Sequence, residues 1–138
     1  MRLRSLAFAD NLPIPTRYTC NGQNVSPPFE FIDVPDGTVS FVLMGEDMSS
    51  NYLHWLVYNI PGEVTHLDED HHPEHASGYE GPCPKHFEGV HRFRFTLFAL
   101  NTFLDLPGNA SAEEARNAIA GHVLETAELF GIAEGELG

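Results

Sequence analysis

Two histidines and an aspartate are the residues of this chain best placed to do chemistry. His54 stands near the start of Leu53-His54-Trp55-Leu56-Val57-Tyr58-Asn59-Ile60, and His91 opens His91-Arg92-Phe93-Arg94-Phe95-Thr96-Leu97-Phe98-Ala99-Leu100. Side chains alternate along a strand, so His91 shares a face with Phe93, Phe95, Leu97 and Ala99. The same parity places Asp47 on the face of Val39, Phe41 and Leu43 if the strand around 38–44 runs on to it. A titratable group at the rim of an apolar face needs a partner or a ligand, because burying it without one is costly. Three such groups at neighbouring strand ends would form a small-ligand pocket. Imidazoles ordinarily titrate near pH 6.5, so protonated ones donate to an oxyanion and bind it better as pH falls. A carboxylate can orient an imidazole through its other nitrogen. The same trio would also serve acid–base work on a small ester or phosphoester.

The elements that must position these groups are mostly strands. Residues 11–37 are broken by Pro13, Pro15, Pro27, Pro28 and Pro35, which predicts short edge strands and turns. Residues 38–44 alternate, and Leu53–Ile60 is apolar on both faces, as in a central strand ended by Pro61-Gly62. His91–Leu100 is the clearest strand, with Arg92, Arg94 and Thr96 opposite the aromatics. Ser111-Ala112-Glu113-Glu114 reads as a capping box, and Ala115, Ala118, Ile119, Val123, Ala127 and Phe130 follow at helical spacing. A C-terminal α-helix stopping at Gly131 is therefore expected, with Gly121 inside it and His122 in a structural role.

Composition bounds the rest. The 138 residues suit one domain, 1-138, with a core that needs no structural metal. Twenty acidic against seven basic residues give a net charge of −13, which disfavours nucleic acid and anionic membrane surfaces. There is no apolar run long enough for a signal peptide or a membrane span, so a cytoplasmic location is expected. In a reducing cytosol Cys20 and Cys83 stand as two free thiols, with a Cys20–Cys83 bridge as the alternative.

Other motifs are weaker. His66 to His75 is rich in histidine and acid, and His71-x-x-Glu74-His75 fits an inverted zincin pattern, but Pro73 breaks the helix that chemistry needs. A solvated acidic loop is expected there, with metal capture as the alternative. No nucleophile elbow, phosphate-binding glycine loop or dinucleotide fingerprint occurs, so neither a cofactor nor an enzymatic activity is expected. Flanking prolines make Cys83 a residue of a stiff loop rather than a nucleophile.

Thr19-Cys20-Asn21-Gly22, Ser26-Pro27-Pro28, Glu46-Asp47, His54-Trp55-Leu56-Val57-Tyr58-Asn59-Ile60-Pro61, Gly78-Tyr79-Glu80-Gly81-Pro82-Cys83-Pro84 and Gly89-Val90-His91-Arg92-Phe93 occur in that order. In this order and spacing the chain resembles the phosphatidylethanolamine-binding protein family, in its short bacterial and archaeal Raf-kinase-inhibitor-like branch, over residues 8–131. The resemblance implies a mostly β fold, an antiparallel Greek-key β-sandwich with a helical C-terminal segment. It implies a pocket for phosphate, phosphoryl headgroups, acetate or similar anions, and often a homodimer. Asp47, His54 and His91 match pocket residues, and Gly81 and Pro82 match a pocket wall whose backbone N–H groups could add donors. Ser49 stands where the family has a second aspartate, Phe93 where it has tyrosine, Phe31 where tryptophan is common, and the tail 132–138 diverges. Binding or regulation is thus the expected role, and no feature assigns a protein partner.

Overall fold

The computed structural model describes residues 1–72 and 78–137. Among these described residues, eight strands form two sheets: β1 (Arg2–Arg4), β2 (Leu12–Pro13), β3 (Phe29–Ile32), β4 (Ser40–Asp47), β5 (Leu53–Pro61), β6 (His66–Leu67), β7 (Val90–Leu100) and β8 (Val123–Glu134). One sheet runs β1-β3-β6 and the other β2-β8-β7-β4-β5. Pairing is antiparallel except between β2 and β8, where Leu12 and Pro13 lie parallel to Gly131 and Ile132. The proline-rich stretch contributes only the short β2 and β3 and a 3-10 turn at Thr16–Tyr18, as missing ladder donors dictate.

Alternation decides which sheet face meets what. Phe41, Leu43, Trp55, Val57, Phe93, Phe95, Leu97 and Ala99 pack against Leu3, Phe29, Phe31 and Leu67 of the small sheet. This is the core of a sandwich. The intervening residues Val42, Met44, Leu56 and Tyr58 point the other way and are covered by Ala115 and Ile119 of α1 (Ala112–Ile119). The large sheet is thus a middle layer, apolar on both faces at its centre, as the run Leu53–Ile60 anticipates. No helix among the described residues is long and apolar enough to cross a membrane.

The C-terminal region departs from expectation. The capping box forms: the Glu114 N–H donates to Ser111 Oγ at 3.0 Å, and the Ser111 N–H donates to Glu114 Oε1 at 3.1 Å. The helix, however, ends at Ile119, and Gly121 makes the turn at φ +82°. His122 sits in that turn, its Nδ1 3.1 Å from Asn101 Oδ1. Residues 123–134 form β8, paired with β7 from Leu100↔Val123 to Val90↔Glu134. Val123, Ala127 and Phe130 fit a helical stripe by coincidence. Ala127, Leu129, Gly131 and Ala133 alternate equally well, and a long exposed edge on β7 rewards the strand. Gly131 is therefore no helix stop. It lies under Ile14 and Phe8, which fill the space a Cβ would need.

The cysteines also differ from the free-thiol expectation: Cys20 and Cys83 are joined in a disulfide with Cα atoms 5.0 Å apart. Backbone bonds hold the two loops in register, with the Cys20 N–H donating to the Pro82 carbonyl at 3.0 Å.

A candidate ligand cavity at the strand ends

β4 runs on through Asp47, and the alternation from Phe41 places this carboxylate on the inter-sheet face. It is 4 % exposed. Opposite it, at the start of β7, His91 Nδ1 lies 2.7 Å from Asp47 Oδ2. Asp47 Oδ1 accepts the Ser49 N–H at 2.8 Å, closing the turn after the strand. Burial works against the charge of Asp47, but the donors on His91, Ser49 and Ser50 outweigh it and hold the carboxyl below its ordinary value. An ionised carboxylate only accepts, so His91 carries its proton on Nδ1 and leaves Nε2 for another partner.

His54 reaches the same end of the sheet through an irregularity. Glu46 pairs with Leu53 and Gly45 with Trp55, so His54 is an extra residue in β5. Such a bulge re-aims side chains. Both His54 and Trp55 consequently face the inter-sheet side, His54 edge-on to Phe93 at 5.2 Å and Trp55 near Phe29 at 6.4 Å. His54 Nδ1 lies 2.6 Å from the Glu80 carbonyl oxygen, and the Glu80 N–H donates to the His54 carbonyl at 3.0 Å. A carbonyl cannot donate, so the His54 proton sits on Nδ1 and its Nε2 is the nitrogen open to a ligand.

The loop 78–83 forms a wall. Tyr79 donates its phenol to the Tyr18 carbonyl at 2.7 Å, and the Gly81 N–H donates to Asn24 Oδ1 at 2.9 Å. Burial keeps the Tyr79 phenol protonated far above its ordinary range. Glycine is required at 81 because a Cβ would run into the Tyr18 carbonyl and Asn24. The wall therefore supplies shape rather than the expected donors: the N–H groups of Glu80 and Gly81 are both engaged within the protein. Pro82 is buried behind it.

Between wall and strand ends lies an open cavity of about 430 Å³. Asp47, His54 and Gly81 line it. His91 and Pro82 are not among the lining residues. His91 is joined to the cavity through two residues that are: Asp47, and Phe87, whose ring stacks on the imidazole at 3.8 Å. The remaining lining includes Tyr52, Glu80, Cys83, His86 and Phe93, of which Tyr52 and His86 were not expected from the sequence. Tyr52 was within reach, since it stands two residues before His54, and its phenol donates to Glu80 Oε2 at 2.7 Å. His86 and Phe87 carried no such signal. They sit on and just after a 3-10 turn, Pro84–His86, whose place is set by the disulfide and by distant backbone bonds.

Other sequence candidates lie apart. Arg92 points away, donating to Asn11 Oδ1 and stacking over Phe130 at 3.6 Å. The Cys83 sulfur is held in the disulfide and is no nucleophile. In the histidine-rich loop, His66 and His72 make exposed pairs with Asp68 and Asp70, while Pro73, Glu74 and His75 lie outside the described residues. No group of three metal-ligating side chains occurs among the described residues.

Comparison with known proteins agrees with this fold. The family model described as "phosphatidylethanolamine-binding protein" matches residues 4–134. A UPF0098 protein of Methanothermobacter thermautotrophicus is 40% identical, over 96% of this chain and 97% of its own. The crystal structure of CT736, a phosphatidylethanolamine-binding protein homolog from Chlamydia trachomatis, superposes with a TM-score of 0.88 at 34% identity, covering 98% of this chain and 97% of that one. YbcL of E. coli gives 0.86 at 26% identity, covering 96% and 97%.

Proposed function

The chain belongs to the phosphatidylethanolamine-binding protein family, and from that premise we propose that it binds a small oxyanion, as a phosphate, phosphoryl group or carboxylate, in a binding or regulatory role rather than a catalytic one. The observation that carries this reading is the 2.6 Å contact of His54 Nδ1 with the Glu80 carbonyl, which directs the Nδ1 proton inward and leaves Nε2 for the cavity that His54 lines. Protonated at Nε2, that imidazole donates to an oxyanion at the end of an otherwise apolar strand face. Asp47, His54, Gly81, Pro82 and His91 form the ligand-binding set with unequal parts. His54 is the direct donor. Gly81 and Pro82 shape the wall. His91 donates to Asp47 and stacks on Phe87, which lines the cavity.

Binding of an anion to an imidazole favours the protonated ring, so affinity rises as pH falls. Titration of the histidine side chains by NMR with phosphate and with acetate tests this. Anion-dependent shifts of His54 and His91, larger at pH 6 than at pH 8 and abolished in His54→Ala, are expected. No shift of either ring at either pH overturns the reading. The homodimer that the family implies is a separate proposal, tested by sedimentation. The cytoplasmic location is another, tested by the thiol state in cells, since a reducing cytosol tends to open a bridge such as Cys20–Cys83.

A further inference from the structure

Resting on that reading of the cavity, we propose that its occupant is a singly charged oxyanion joined to a compact apolar ring, an aromatic carboxylate or its like, in preference to a bare or doubly charged phosphate. Size is the first argument. A cavity of about 430 Å³ falls in the range of sites for organic small molecules. A phosphate or acetate ion held at His54 leaves most of it unfilled.

Charge is the second argument. Two carboxylates, Asp47 and Glu80, line the space in which the anion would sit. Asp47 is paired with His91, but the partner on the Glu80 carboxylate is the neutral Tyr52 phenol. Hydrogen bonding to Glu80 raises the Tyr52 phenol above its ordinary value and so keeps it protonated. The lining side chains able to carry positive charge are the imidazoles of His54 and His86. One negative charge on a ligand can be matched there. A second meets Glu80 and the field of a chain carrying −13, in a partly desolvated site where repulsion is stronger than in water.

The walls supply the third argument. Phe93, 2 % exposed, and Phe87 line the cavity together with Cys83 of the disulfide. Tyr52 and His54 meet edge-on at 4.8 Å, His54 and Phe93 at 5.2 Å, while Phe87 is backed by His91. Rings in these orientations offer faces and edges to a further ring. A polar end with one usable charge and an aromatic remainder describes the ligand class.

Calorimetric titration of the disulfide-intact protein at pH 7 with acetate, benzoate, inorganic phosphate and phenyl phosphate tests it. Benzoate should bind at least tenfold more tightly than acetate and than phenyl phosphate. Glu80→Gln should narrow the gap between benzoate and phenyl phosphate, and Phe87→Leu should bring the benzoate-to-acetate ratio towards one. Both variants are accepted only with an unchanged thermal midpoint, and they back each other if one fails to fold. Acetate or phosphate binding as tightly as benzoate overturns the ligand class and leaves the oxyanion site standing. No binding by any of the four overturns the oxyanion site itself.

Discussion

Glu46 and Asp47 are neighbours at the end of β4, both buried carboxylates, and the strand turns them to opposite faces of the same sheet. Glu46 faces the helix layer. Arg116 of α1 donates to both of its oxygens at 2.6 Å, and Arg94 lies 3.4 Å away. Asp47 faces the small sheet and is answered by one histidine and the turn that follows it. The first carboxylate is neutralised by guanidinium groups, which do not lose their charge in proteins, and it ties helix to sheet. The second is held by hydrogen bonds from a histidine and a backbone N–H, beside an open cavity. A permanent counter-charge under a covering layer makes structure. A carboxylate held only by hydrogen bonds at an opening makes a site that a ligand can address.

That contrast can be broken from either side. The largest effect is expected from the clamp on the open side. Replacing both Cys20 and Cys83 by serine releases a loop closed over a separation of 63 residues and should lower stability by about 3 kcal/mol, read by denaturant unfolding. On the closed side, Arg116→Ala strips Glu46 of its nearest donor and should cost about 2 kcal/mol. Anion affinity should be unchanged in that variant. A loss of affinity there would show that the two faces are coupled.

Asp47→Asn should cost about 1.5 kcal/mol at neutral pH, because it weakens a charge-assisted bond to His91. The smallest effect is its pH dependence. The Asp47 carboxyl lies below its ordinary value of 3.8 in the folded protein, so its contribution is fully present above that value and is lost as pH falls through the lowered one. Thermal midpoints measured from pH 5 down to 2 should fall less steeply in Asp47→Asn than in the parent. Equal slopes would mean that the His91 pairing does not favour the charged form.

Much of the frame was legible. β4, β5 and β7 announce themselves by alternation or by continuous apolar character, and the parity of His91 and Asp47 follows from it. The capping box located the start of α1. What failed were places where two local patterns coincide or where distant segments decide. Residues 123–134 are rich in Glu, Ala and Leu, which favour helix locally, yet the backbone groups of β7 needed partners. The bulge at His54 has no signature in the sequence, and without it period two would turn His54 and Trp55 to opposite faces. His86 and Phe87 entered the cavity only because the disulfide and the backbone bonds to residues 135–137 carry their turn there.

The amino-acid order by itself thus determined the alternating strands, the family and the identity of the polar groups at the strand ends, because side-chain periodicity and residue chemistry are local properties. Tertiary structure decided residues 123–134 as strand rather than helix, the union of Cys20 with Cys83, and the rings that surround His54. Each of these depends on which segments, far apart along the chain, have backbone groups or volume left to satisfy, and that is known only once the sheets have packed.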